Sequence, residues 1–196
     1  MKYMKSFIAH FSSNPAFNSQ DAMRFLQNRG ASAGYHKLVI TNLLKEGKIH
    51  KITRGSYTFQ DDVQYAGFAF RPFYYGLEDA LSLLGLWEQE TNPVILTPKK
   101  VRPGIRSFEG RNYIVRHISR KMFFGYSYIA YGEFNIPVST IEKTLIDLLY
   151  FKVPISEEVV QNVLAASNMD ILKGYAKEIP SSLKSRIAGL IRRKLP

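Results

Sequence analysis

The sequence predicts an α+β fold, and three observations carry that reading. Apolar residues recur at helical spacing from Tyr3 to Leu44. Between about 93 and 131 they run in short continuous or alternating stretches of strand length. After Pro154 they return to helical spacing. The chain has 196 residues, 45% of them apolar, with 13 Phe and 12 Tyr, which is enough apolar volume for packed cores and speaks against disorder.

Taken in order, a first helix from Lys2 to Ser12 places Tyr3, Phe7 and Phe11 four apart. Ser19 is positioned to cap a second helix, Gln20 to Asn28, with Phe17 as a staple residue before it. Arg29-Gly30 ends that helix, and Ser32 is positioned to cap a third that runs to about Glu46 and closes at Gly47. Its inward residues are Val39, Ile40, Leu43 and Leu44. Extended arms Lys48–Arg54 and Ser56–Phe59 flank a tight turn at Gly55. Two helices followed by a hairpin predict a winged helix-turn-helix over residues 1–62.

Residues 63–153 read as a small mixed α/β domain. A short helix starts at Leu77 and ends at Gly85; Pro93–Thr97 is a strand covered on both faces. Ile105–Glu109 and Arg111–Ile118 form a hairpin about Gly110, and Met122–Tyr131 is an aromatic strand. Ser139, with Glu142 at the capping-box position, opens a helix that presents Ile141, Leu145, Leu148 and Leu149. Residues 154–196 form a C-terminal helical segment, with Arg192, Arg193 and Lys194 complementing the end of the last helix.

Charge marks the first domain for a polyanion. Nine basic and two acidic side chains fall in the first sixty residues, so seven of the net eleven positive charges lie there. Lys37, Thr41 and Lys45 are spaced four apart on the outer side of the third helix. With Ser32, Tyr35 and His36 they form the expected reading surface, and Lys51 and Arg54 stand at the wing. Phosphate contacts would supply affinity, and base contacts from Thr41, His36 or Tyr35 any sequence preference. Lys99, Lys100, Arg102 and Arg106 are a candidate second basic surface, against the simpler reading of a solvated loop.

Catalysis finds little footing. The four His residues lack metal-ligand spacing, cysteine is absent, and there is no GxxxxGK phosphate loop or GxSxG elbow. No catalytic residue, metal or cofactor is therefore expected, and the chain reads as a non-enzyme. Glu142 and Asp147 read as solvated or capping helix acids. Two alternatives stay open: a metal-dependent nucleic-acid-processing enzyme drawing on Glu78, Asp79 and Glu133, and a winged-helix scaffold for protein partners. The first ten residues lack the apolar core of a signal peptide, and no window reaches the ~18 apolar residues of a membrane span. A cytoplasmic protein without membrane contact is expected.

Three segments carry a family likeness. Gly47-Lys-Ile-His-Lys-Ile-Thr-Arg-Gly-Ser-Tyr57 resembles a Gly-x-Ile…Arg-Gly-x-Tyr wing. Tyr74-Tyr-Gly-Leu-Glu-Asp-Ala-Leu-Ser-Leu-Leu-Gly-Leu86 is similar to a Tyr…Ser-Ala-Leu…Gly-Leu helix, and Asn135-Ile-Pro-Val-Ser-Thr-Ile-Glu-Lys-Thr-Leu-Ile-Asp147 to an Ile-Pro-Val-Ala…Glu-Lys-Ala-Leu-Leu-Asp segment. In order and spacing, over about residues 20–150, they resemble the AbiEi family of antitoxin and transcriptional regulators of type IV toxin–antitoxin (abortive infection) systems. The resemblance implies a DNA-binding head joined to an antitoxin domain. It also implies repression of the protein's own operon through upstream double-stranded repeats. The partner it implies is a nucleotidyltransferase-like toxin, countered without a stable complex. Paired copies, formed in solution or on DNA, would read paired half-sites.

Overall fold

The computed structural model describes residues 2–194, with side chains through Arg192, so Arg193 and Lys194 lie outside the described side chains. The chain is α+β and divides into two compact units. One comprises Met1–Arg71 with Arg106–Tyr113, the other Pro72–Ile105 with Ile114–Pro196. This differs from the three-part division at 62 and 153. The buried 3-10 run Val63–Phe70 stays with the first unit, and the C-terminal helices share the second unit's core.

In the first unit, α1 (Met4–Phe11), β1 (Phe17–Asn18), α2 (Ser19–Gln27), α3 (Tyr35–Lys45), β2 (His50–Thr53) and β3 (Ser56–Thr58) follow in order. The aromatic stripe of α1 becomes the centre of the core. Phe7 is fully buried, with ring centroids 4.6 Å from Phe11, 5.6 Å from Phe17 and 6.0 Å from Phe25. Ala22, Leu26, Val39, Ile40, Leu43 and Ile49 complete it. Gly30, Gly47 and Gly55 take φ of +84°, +64° and +77°, where a side chain would be strained, so they end the two helices and turn the ribbon.

Two local expectations change. Phe17, directly before the cap and in the same buried core as Ala22, also forms β1, pairing with Tyr57 while Asn18 pairs with Ser56, so the ribbon becomes a three-stranded antiparallel sheet, β1-β3-β2. The α2 cap is Asn18, not Ser19. The Asn18 side chain accepts the Asp21 N–H at 2.9 Å, and the Asp21 carboxylate faces the Asn18 N–H at 3.5 Å. Asn18→Ala should lower the unfolding free energy by about 1 kcal/mol, read from urea midpoints, whereas Ser19→Ala should change it by less than about 0.5 kcal/mol.

The second unit is built on a mixed sheet of β4 (Tyr74–Tyr75), β5 (Val94–Thr97), β6 (Gly104–Phe108), β7 (Arg111–His117), β8 (Tyr126–Tyr131) and β9 (Phe134–Ser139), ordered β6-β7-β5-β4-β9-β8. Strands β5 and β7 run parallel (Val94↔Ile114 to Thr97↔His117), as do β4 and β9, while β4–β5 and β8–β9 are antiparallel. All four residues of β5 are buried, as a continuous apolar strand requires. The far end of the β6–β7 hairpin, Arg106–Tyr113, groups with the first unit, where the Tyr113 hydroxyl donates to the Ile52 carbonyl at 3.4 Å.

Helices α4 (Leu77–Leu83), α6 (Glu157–Ala166), α7 (Met169–Glu178) and α8 (Ser181–Lys194) surround α5 (Ile141–Tyr150), in which every residue from Glu142 to Leu148 is buried. Thr140 caps α5, its hydroxyl accepting the Lys143 N–H at 3.3 Å. Ser139 instead ends β9 and hydrogen-bonds the Thr144 hydroxyl at 2.7 Å. Glu142 accepts the Asn168 N–H at 2.7 Å, tying α5 to the α7 cap.

Inside this unit lies a charged cluster. Lys143 and Asp147, four apart on α5, form an ion pair with no exposure on either side chain. The Lys143 ammonium also donates to the Tyr74 hydroxyl at 3.0 Å, and that hydroxyl donates to Asp147 at 2.8 Å. Phe124 lies 4.9 Å from the ammonium, adding a cation–π contact. Burial is the leading influence on all three groups. It pushes the Asp147 carboxyl up to about 6 against the opposing pull of Lys143, lowers Lys143 and raises Tyr74 well above the ordinary phenol range. The solvated or capping role expected for Asp147 and the capping-box role expected for Glu142 are therefore corrected: both are interior groups with other defined partners.

Candidate nucleic-acid interface

Helix α3 separates its faces by periodicity. Val39, Ile40 and Leu43 are buried; Lys37, Leu38, Thr41 and Lys45 are exposed. With a rise of 1.5 Å per residue, Lys37 and Lys45 stand about 12 Å apart along the helix, with Thr41 midway. Leu38 is 51% exposed beside this stripe, a large apolar side chain that sequence reasoning passed over. The signal was present, since Leu38 falls outside the buried set Val39, Ile40, Leu43.

The remaining residues of the expected reading surface are placed differently. Ser32 is exposed but does not cap α3; Gly34 holds the cap position without a side-chain bond, and the Ser32 carbonyl accepts the Tyr35 N–H at 3.1 Å. Tyr35 is half-buried and meets Tyr3 edge-on, centroids 5.8 Å apart. His36 is only 8% exposed, with Nδ1 2.8 Å from the Ala33 carbonyl. That contact holds the ring against the α3 N-terminus and away from the Lys37–Lys45 face.

On the ribbon, Ile52 points inward at 5% exposure, so its neighbour Lys51 points out, and Arg54 is exposed at the turn before Gly55. Lys48 pairs with Glu46 at 2.8 Å. Among the described residues, Lys37, Lys45, Lys51 and Arg54 form no ion pair with a carboxylate. Their charge is uncompensated by neighbours and available to an anion.

The four residues of the candidate second basic surface do not fall in one unit. Lys99, Lys100 and Arg102 are exposed after β5 in the second unit. There Lys99, Pro72, Pro98, Arg120 and Phe123 line an open, largely apolar cleft of about 440 Å3. Arg106 belongs to the first unit, half-buried with its guanidinium 5.0 Å from the Phe70 ring. It also sits beside Tyr113, whose phenol burial pushes up while Arg106 pulls it down.

The acids weighed for metal chemistry are dispersed in role. Asp79 is buried and accepts the Val94 N–H at 3.2 Å, while Glu133 is exposed. Among the described residues, no group of three or more His, Asp or Glu side chains is placed to hold a metal ion. No helix among them is long and apolar enough to cross a membrane. The chain matches no protein-family model, and no curated protein matches it.

Proposed function

We propose that the first unit is a winged helix-turn-helix that binds duplex DNA, and that the chain is a transcriptional regulator of the AbiEi antitoxin–autorepressor type. The observation that carries the reading is the exposed, unpaired Lys37–Thr41–Lys45 stripe of α3, together with the outward Lys51 and Arg54 of the β2–β3 ribbon. An α-helix fits the major groove, and a ribbon with basic side chains reaches the flanking backbone. Lysines and arginine would neutralise phosphates; Thr41, with Leu38 beside it, offers a hydroxyl and an apolar contact to base edges. The second unit then serves as the effector or antitoxin part, and paired copies read the upstream repeats.

The test is a mobility shift on DNA from immediately upstream of the chain's own gene, with random duplex as competitor, over a series of salt concentrations. The triple variant Lys37→Ala/Lys45→Ala/Arg54→Ala should bind more weakly. Its salt slope should be shallower by about 0.9 per lost phosphate contact, so by between two and three in all. An unchanged slope and affinity in the triple variant would remove the reading. Thr41→Ala and Leu38→Ala should narrow the gap between operator and random DNA while leaving the slope alone, because base-edge contacts release no counterions.

A further inference from the structure

The first unit carries a second basic feature apart from the α3 stripe. Beside α1, β1 and α2 lies a concave cleft of about 480 Å3, whose lining includes Arg24, Arg29, Arg71, His10 and one acid, Asp21. Asp21 is engaged in closing the capping box with Asn18. Among the described residues, Arg24 and Arg29 form no ion pair with a carboxylate.

Two of the guanidinium groups are held in place. Arg29 lies 3.7 Å over the Phe25 ring and donates one Nη1 hydrogen to the Phe25 carbonyl at 3.2 Å, which leaves most of its five donors uncommitted. Arg71 lies 4.6 Å over the Phe68 ring. The His10 ring stacks on Phe25, centroids 4.5 Å apart and 19° from parallel. Stacking of this kind fixes the plane of a guanidinium before a ligand arrives, so less side-chain freedom is lost on binding.

A purely local account covers part of this. Arg24 lies in the last turn of α2 and Arg29 follows it, where both complement the helix's negative end. That account does not explain why Arg71, from beyond the 3-10 run, and His10, from α1, line the same cleft.

We infer that this cleft is a binding site for a compact diphosphate group, as carried by a nucleotide or by inorganic pyrophosphate. Guanidinium forks match phosphoryl oxygens bidentately, and those of Arg24 and Arg29 beside one engaged carboxylate leave an excess of positive charge suited to a polyanion. The volume exceeds what a single phosphate fills and lies within the range of small-ligand sites. A concave cleft also admits a compact anion more readily than the convex backbone of a duplex. The site does not depend on the DNA-binding reading, since none of its residues belongs to α3 or the ribbon.

The test is titration calorimetry of the full chain with pyrophosphate, ADP and inorganic phosphate at fixed ionic strength. Pyrophosphate or ADP should bind one per chain and inorganic phosphate much more weakly; ADP tighter than pyrophosphate would identify a nucleotide, and equal affinity the diphosphate alone. Arg24→Ala and Arg71→Gln should each weaken binding about tenfold or more, the scale of one charged hydrogen bond. Both replace exposed side chains, and their thermal midpoints should confirm an intact fold. Lys37→Ala/Lys45→Ala should leave binding unchanged. Absence of saturable binding would overturn the proposal. So would affinity insensitive to Arg24 and Arg71, or equally sensitive to Lys37 and Lys45, since either describes diffuse attraction to a basic surface. Displacement of pyrophosphate by short random duplex would also overturn it, by reassigning the cleft to the DNA backbone.

Discussion

Lys143→Met should destabilise the chain by about 3–5 kcal/mol, the scale expected when one member of a buried ion pair is removed and the other is left without compensation. The magnitude follows from the surroundings: neither side chain of the pair has any exposure, and Asp147 keeps only the Tyr74 hydroxyl once the ammonium is gone. The double variant Lys143→Met/Asp147→Leu should recover most of that loss, because two apolar side chains of similar volume avoid desolvation altogether. A single variant as stable as the double one would show that the buried Asp147 carries no penalty when left without its ammonium.

The same variant has a pH signature. The Asp147 carboxyl is pushed up to about 6 even with Lys143 opposing the shift, and without that ammonium it moves further in the same direction. A folded-state value above the unfolded one means that the folded chain retains a proton the unfolded chain releases. Stability from this group is therefore fully present below the unfolded carboxyl range and is lost as pH rises through the folded value. Relative to wild type, the Lys143→Met chain should unfold at lower urea at pH 8 than at pH 5. A difference from wild type that is independent of pH would contradict this.

Phe7→Ala should cost about 3–5 kcal/mol in the first unit, as expected for a fully buried Phe whose cavity cannot collapse. Phe7 meets the rings of Phe11, Phe17 and Phe25, so its loss weakens the packing of α1 on β1 and on α2 together. Phe7→Leu keeps most of the volume and should cost less than half as much. Amide exchange would locate the effect: protection should fall in α1–α3 and the β1-β3-β2 sheet while α5 keeps its own. Equal loss in both units would mean that they unfold as one.

Much of the first unit was legible because its signals are local. Gly30, Gly47 and Gly55 sit where backbone sterics demand them, and the Val39/Ile40/Leu43 spacing sets which side of α3 faces water. The outward placement of Lys37, Thr41 and Lys45 follows from that periodicity, and that of Lys51 from strand alternation with the buried Ile52. What escaped depends on distant partners or on equivalent neighbours. Strand β1 has two residues and exists only because Tyr57 and Ser56 lie opposite. Asn18 and Ser19, like Ser139 and Thr140, are adjacent residues that both suit a cap, and local preference does not choose between them. His36 looked like a reader and is instead tied to Ala33, three residues back. Lys143 and Asp147 have the spacing of an ordinary surface pair; Tyr74, Phe124 and the helices arriving from after Pro154, all distant in sequence or on other elements, put them in the interior.

The β6–β7 hairpin tip has a bearing on how this molecule can be taken apart. Within the first unit, Glu109 lies 3.1 Å from the His50 ring nitrogen, Tyr113 bonds Ile52, and Arg106 and Tyr113 flank Phe70. A genetic fragment stopping at residue 71 would therefore omit part of the body it was meant to isolate. The head is not a cassette that can be excised at one linker and grafted elsewhere, because its own peptide is interrupted by a stretch of the other unit.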